Sequence, residues 1–206
     1  MKKETVGRGF RVPGFTTAGI FCGIKTNKQK DLALIFSEEP SVAAGLFTSN
    51  QVVSPTITWC QEILKSSKRF RAIVVNSGNA NACTGPKGME DCKSLASKLS
   101  QKLSVEPKEI LIASTGIIGV PLPINKIVKA LPALSSKLSP IGWVSSAEAI
   151  MTTDLTPKFK SLSFYIGKDK ITMGGIAKGS GMIHPNMATM LADRKSTRLN
   201  SSHTSI

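Results

Sequence analysis

The chain has 206 residues, of which 41% are hydrophobic and 19% charged, a balance that excludes a disordered chain and predicts one sizeable globular domain, or a large one with a small one. Aromatic residues make up only 5%, so aliphatic side chains must build the core. The net charge of +14 invites a nucleic-acid reading, but Lys65, Lys68, Lys98, Lys102 and Lys129 are scattered and carry few aromatics among them. A solvated basic surface that attracts anionic metabolites is the better reading.

No apolar run reaches the length of a membrane span. Lys2 and Lys3 have no apolar segment behind them, so no secretory signal is read and the cytoplasm is the expected compartment. Cys22, Cys60, Cys83 and Cys92 form no C-x-x-C pair, and His184 and His203 are not at ligand spacing from them. A zinc site is not expected, and free thiols in a reducing compartment are.

Residues 1–11 are polar and basic and predict a loosely held start. Val12-Pro-Gly-Phe15 is turn-like and leads into a run of small and apolar residues at 16–25. Residues 31–36 read as a strand and residues 42–47 as a second. Residues 56–67 predict a helix with Ile57, Cys60, Ile63 and Leu64 on one face. The continuous apolar run at 71–75 predicts a buried strand. It ends in Asn76-Ser-Gly-Asn-Ala-Asn-Ala-Cys-Thr-Gly85, a polar, uncharged loop that could line a site or bond its own backbone. Residues 88–103 give the clearest helical period, through Met89, Cys92, Leu95, Ala96, Leu99 and Leu103. Residues 109–113 read as another buried strand, entering Ser114-Thr-Gly-Ile-Ile-Gly119. Residues 124–138 predict a helix broken or kinked at Pro132, and residues 143–150 a short helix ending at Met151-Thr-Thr-Asp154. Residues 159–166 and 170–177 form a hairpin around Gly167-Lys168-Asp169. The mixture predicts an α/β or α+β fold.

The hairpin delivers the chain into Lys178-Gly-Ser-Gly-Met-Ile-His-Pro-Asn-Met-Ala-Thr-Met-Leu191. By itself this reads as a glycine loop entering a short apolar strand. A sharper reading makes Thr189 a nucleophile. A threonine hydroxyl needs a base. His184 is the near histidine, and the other base available is the α-amine of Thr189 itself, if the Ala188–Thr189 bond is cut. That amine has a pKa of roughly 8 and is partly unprotonated near neutrality. The hydroxyl of Thr189 could make the cut by attacking the Ala188 carbonyl, giving an ester that water opens. Such chemistry needs an oxyanion hole. Thr115 and Gly116 are candidates, set against a plain strand-terminating turn.

These segments, in order, resemble the ornithine acetyltransferase family, the bifunctional glutamate N-acetyltransferases of arginine biosynthesis. Val12-Pro-Gly-Phe15, Phe47-Thr-Ser-Asn50, residues 76–85, 114–119, 151–154 and 178–191 carry the resemblance. It implies a layered sandwich resembling N-terminal nucleophile hydrolases. It also implies self-cleavage between Ala188 and Thr189 into α and β chains. Thr189 would then take acetyl from N2-acetylornithine and pass it to glutamate in a ping-pong cycle, with acetyl-CoA a further donor in some members. Thr115 and Gly116 match the oxyanion-hole pair, and Lys178 and Thr152 match substrate-binding positions, with Thr153 beside them and Thr189 also in contact with substrate. Lys178 makes sense there because both substrates carry carboxylates. The resemblance implies no metal or cofactor, and an α2β2 heterotetramer when complete.

The division expected is an α-chain region at 1–188, the start of a β chain at 189–192, and a tail at 193–206. The tail is polar and without period, resembles read-through at the end of a sequencing fragment, and is expected to form no core element. Removing its three cations and one anion lowers the net charge by only two. The fragment alone is expected to be inactive and poorly stable. Two rivals stand beside this reading. One is a related autoprocessing amidohydrolase or aminopeptidase that passes the acyl group to water. The other is a basic domain that binds nucleic acid or another anion, with a salt-dependent gel shift as its mark.

Overall fold

The computed structural model describes Glu4–Thr5, residues 9–179 and residues 192–198. The strands are β1 (Glu4–Thr5), β2 (Phe15–Ile20), β3 (Leu32–Ser41), β4 (Phe70–Asn79), β5 (Ile110–Ile117), β6 (Lys158–Ile166), β7 (Asp169–Ala177) and β8 (Ala192–Arg198). The α-helices are α1 (Pro55–Ser66), α2 (Gly85–Leu103), α3 (Ile124–Ser136) and α4 (Trp143–Ala149). Among the described residues the strands form two sheets, ordered β2-β3-β4-β5 and β1-β6-β7-β8.

The first sheet is buried on both faces, which explains its unbroken apolar runs. In β3, Leu32 and Leu34 face one core while Ala33 and Ile35 face another, the period-two alternation of a strand between two apolar layers. On the first side lie α1, α2 and α3, with Leu95, Leu99, Ile127 and Leu131 at 0–1% exposure. On the second side α4 touches β2 and β3, and also β6 and β7 of the other sheet. The middle layer is therefore built around Trp143, fully buried and stacked 5.3 Å from the ring of Phe10. Side-chain bonds fix the outer layer: Trp59 Nε1 donates to the Ile110 carbonyl at 3.0 Å and Cys60 Sγ to the Ile112 carbonyl at 3.1 Å.

Most predicted elements are present with ends shifted by a few residues, α3 continues through Pro132 where a break or kink was expected, and four further regions differ. Residues 42–47 form no strand; Val42 and Leu46 are about nine-tenths exposed. Apolar character alone does not make a strand when no neighbouring edge pairs with it. The start of the chain is held more firmly than its polarity suggests. Glu4–Thr5 pairs with β6, and Phe10 is buried beside Trp143. Residues 192–198, at the head of the tail, pair antiparallel with β7 as an edge strand. An open edge recruits backbone amides and carbonyls whatever the side chains are. Finally, β4 and β5 run on through polar residues, to Asn79 and Ile117. They pair in parallel, and that extension carries both strands into the site.

Candidate functional site

The parallel pairing sets Ser77 opposite Thr115 and Gly78 opposite Gly116, with the register shifting at Gly78 and Asn79. Gly116 has φ +139° and Gly78 φ +100°, conformations that favour glycine. The approach is also too close for side chains. A Cβ on Gly116 would lie 2.3 Å from the Gly78 carbonyl carbon, and one on Gly78 would lie 2.9 Å from Ile24 Cγ2 and 3.2 Å from Lys25 Cγ. Thr115 is buried and Gly116 exposed. The strand end thus presents bare backbone next to a fixed hydroxyl residue.

The polar stretch at 76–85, whose first four residues are the end of β4, bonds partly within itself and partly to neighbouring segments. Asn76 Nδ2 donates to the Asn79 carbonyl at 2.8 Å and Asn79 Nδ2 to the Val120 carbonyl at 3.0 Å. Asn81 Nδ2 donates to the Gly88 carbonyl at 3.0 Å. All three asparagines are buried. Their amides knit the backbone that holds the strand ends, as buried polar groups must. The loop reaches the site through its glycine, by way of Gly78.

Lys25 joins this strand end to the next segment. The Asp31 carboxylate accepts the backbone N–H groups of Cys22, Ile24 and Lys25 at 2.6, 2.7 and 2.9 Å, which folds residues 22–25 against Gly78. From there Lys25 Nζ donates to the Lys30 carbonyl at 2.8 Å and to the Met151 carbonyl at 2.7 Å. Burial pushes the Lys25 ammonium below its usual range, while Asp31 and Asp154 pull it back up.

Beyond Met151 the chain turns through Thr152, half-buried, and Thr153, exposed. Asp154 closes the turn. Its carboxylate accepts Thr152 N–H at 3.4 Å, Gly179 N–H at 2.5 Å and Lys158 Nζ at 2.5 Å. Burial raises its pKa, but the Lys158 ammonium and the two amides outweigh it and hold the carboxyl at about 2. Next to Gly179, Lys178 is only 4% exposed, and its Nζ donates to the Gly179 carbonyl at 2.8 Å. Burial lowers its pKa, Asp154 raises it, and Lys158 lowers it again.

The structure therefore links the predicted residues by a continuous series of contacts: Gly116 to Gly78, Gly78 to Lys25, Lys25 to Met151, then Thr152 through Asp154 to Gly179 and Lys178. Ala188 and Thr189 lie outside the described residues. Lys25, Lys158 and Lys178 all feel the single carboxylate of Asp154, leaving a surplus of positive charge suited to a carboxylate ligand. Among the described residues no cluster of His, Cys, Asp and Glu could hold a metal, and none of their helices is long and apolar enough to cross a membrane. Sequence reasoning missed Lys25, Gly78 and Asp154 as site residues, although Gly78 and Asp154 lie inside segments it singled out. Lys25 carries no local signal; its partner Met151 is 126 residues away.

Two sheets around a shared apolar layer, helices outside one of them, and a glycine-paired strand end joined to a lysine cluster define a layered α/β protein with an anion-receptive site. The family model described as the ArgJ family matches residues 16–193. The arginine biosynthesis bifunctional protein ArgJ of Caldanaerobacter subterraneus subsp. tengcongensis is 50% identical over 87% of this chain and 44% of its own length. Its Synechocystis counterpart is 48% identical over 87% and 43%. The crystal structure of ornithine acetyltransferase from Mycobacterium tuberculosis, complexed with ornithine, superposes with a TM-score of 0.81 at 35% identity, covering 92% of this chain and all of that one. The argJ crystal structure from Bacillus halodurans gives 0.82 at 32%, covering 92% and 98%. The chain belongs to the ArgJ family, and its fold is the layered sandwich resembling N-terminal nucleophile hydrolases. It spans less than half the length of these curated relatives.

Proposed function

We propose that the protein to which this chain belongs transfers acetyl from N2-acetylornithine to L-glutamate in arginine biosynthesis. In this reading Thr189 attacks the Ala188 carbonyl, the peptide becomes an ester, and water releases a β chain that begins with Thr189. The freed α-amine then serves as the base for the threonine hydroxyl. The hydroxyl attacks the acetyl carbonyl of acetylornithine, ornithine leaves with a proton, and the acetyl-threonine ester is passed to the amine of glutamate. Thr115 and Gly116 donate to the oxyanion in each step. Lys178, Thr152 and Thr153 hold the substrate, and acetyl-CoA is a further donor that the resemblance allows. The working assembly is an α2β2 heterotetramer in the cytoplasm, and this chain alone is inactive.

The observation that carries the reading is the contact series from Gly116 to Lys178. It joins a bare strand-end backbone, which an oxyanion can approach, to a surplus of cations, which a substrate carboxylate needs. The coverage figures support processing. Chains of solved relatives are matched almost end to end, while the curated full-length relatives are matched over less than half. That difference is expected where a precursor is divided near this point.

The test uses the full-length gene product. Wild type is expected to run as two bands on a denaturing gel and to make N-acetylglutamate from acetylornithine and glutamate. Thr189→Ala is expected to run as one band and to make none. An intact wild type, or a cleaved and active Thr189→Ala, rejects the nucleophile assignment. Release of acetate without glutamate-dependent transfer favours an amidohydrolase instead.

A further inference from the structure

Asp154 has been described as one member of the site, but its geometry assigns it more. Its side chain is 1% exposed, yet it is one of few charged groups so deeply placed, and its oxygens meet donors from three separate stretches of chain. Thr152 N–H belongs to the segment that follows α4, Gly179 N–H to the exit from β7, and Lys158 Nζ to the start of β6. A carboxylate is the acceptor for this task, because ionised it offers about four lone-pair sites. A neutral amide would offer half as many and bring donors of its own.

The same oxygen accounts for the glycine that follows Lys178. A Cβ on residue 179 would lie 2.9 Å from Asp154 Oδ1, so any larger residue pushes the carboxylate off the amide it holds. Gly179 in turn offers its carbonyl to Lys178 Nζ. Asp154 thus fixes the peptide unit against which the Lys178 ammonium is set, while the other oxygen of the same carboxylate holds Thr152. Lys25 braces the far side through the Met151 carbonyl.

We propose that Asp154 is a positioning residue that locks Lys178–Gly179 to Met151–Thr153, so that the two halves of the substrate-carboxylate site keep a fixed register. The proposal rests on the acetyl-transfer reading and goes beyond it in naming what aligns the site. Asp154 need not touch substrate or the reacting atoms. A supporting electrostatic effect runs the same way. Burial disfavours the charged form of Lys178, and the Asp154 carboxylate favours it, so removing the carboxylate both loosens the lysine and weakens its charge.

The experiment compares full-length wild type with Asp154→Asn, Asp154→Ala and Gly179→Ala, scoring cleavage on a gel, kcat and KM for acetylornithine and glutamate, and hydrogen exchange of the peptide that contains Gly179. Expected is a rise in KM of about tenfold for both substrates in Asp154→Ala, the size of one lost charge-assisted hydrogen bond. A smaller rise is expected in Asp154→Asn, with kcat per cleaved protomer changed less than KM. Gly179→Ala perturbs the same tie from its other end while keeping the Asp154 carboxylate, and is expected to raise KM in the same direction if Asp154→Ala fails to fold. Unchanged KM in the folded variants of an active enzyme overturns the proposal and leaves the acetyl-transfer reading standing. An inactive wild type overturns the acetyl-transfer reading. The Asp154 tie is then judged on exchange alone: faster exchange around Gly179 in Asp154→Ala upholds it, and equal exchange overturns it.

Discussion

Two buried polar regions of this molecule use their hydrogen bonds in opposite ways. The stretch at 76–85 is neutral, and its asparagines bond backbone and hydroxyl groups both near in sequence and as far as 42 residues away. The cluster around Asp154 is charged, and its bonds join segments 25 residues apart, while the neighbouring Lys25 bond spans 126. A neutral amide with its donor and acceptor matched by the protein keeps no charge to offer a ligand and gives a rigid support. Charges that are paired but left in surplus keep a capacity for one more partner of opposite sign. The difference separates the frame of the site from its receptive part, although both are polar and both have a buried side chain at their centre.

The largest expected effect comes from breaking the close approach of the two strand ends, where Gly116 meets Gly78 of the neutral stretch. Gly116→Ala puts a methyl 2.3 Å from the Gly78 carbonyl carbon at a φ of +139°. Backbone on both sides leaves nowhere to move, so a loss of about 3 kcal/mol of stability is expected, with transfer activity abolished because the strand end must reopen. Urea melts and the acetylornithine–glutamate assay check this on the full-length protein. A variant with wild-type stability and activity means that the strands are not in this register.

The neutral frame gives the next effect. Asn81 is fully buried at φ +46°; its amide nitrogen donates to the Gly88 carbonyl and its oxygen accepts from Thr84 Oγ1 at 2.9 Å. Asn81→Ala removes both bonds and places alanine in a backbone conformation that asparagine tolerates better. About 2 kcal/mol of stability should be lost, with KM for both substrates unchanged. A rise in KM comparable to that of Asp154→Ala would erase the distinction between frame and receptive cluster.

How much of this was legible in the sequence follows the same division. The strands at 31–36, 71–75 and 109–113 were legible because a sheet buried on both faces needs unbroken apolar runs. The helices were legible because each has one buried stripe, as Cys92, Leu95, Ala96 and Leu99 show in α2. The polar extensions of β4 and β5 were not, since parallel pairing between Asn76 and Ser114 is a backbone property that polar side chains do not announce. Residues 42–47 misled for the converse reason: they are apolar, but no strand edge meets them. In the candidate site, Thr115, Gly116, Thr152 and Lys178 were singled out from the segments that carry the resemblance, whereas Lys25 was invisible because a bond across 126 residues leaves no local pattern.

The smallest expected effect is a difference in pH response between the two regions. The asparagine frame bonds one titratable group, the Cys92 thiol, which burial pushes up to about 12, so its contribution should not change with pH in the acid range. Asp154 titrates at about 2 in the folded chain against an ordinary 3.8. Within that window the unfolded chain binds a proton that the folded chain does not. Stability therefore rises with pH across it, is fully present above the unfolded value, and is lost as pH falls toward the folded one. Denaturant melts of full-length wild type and Asp154→Asn should differ most above pH 3.8 and converge as the acid limit is approached, whereas wild type and Asn81→Ala should stay equally far apart. The effect stays modest because Lys158, the strongest opposing partner, is half exposed and its attraction is partly screened by water and salt. Raising the ionic strength should shrink the Asp154 difference further, since the Lys158 contribution weakens while the two half-buried amide bonds remain. If the two differences fall together with pH, Asp154 is not ionised through this tie, and the charged cluster is a neutral frame like the other.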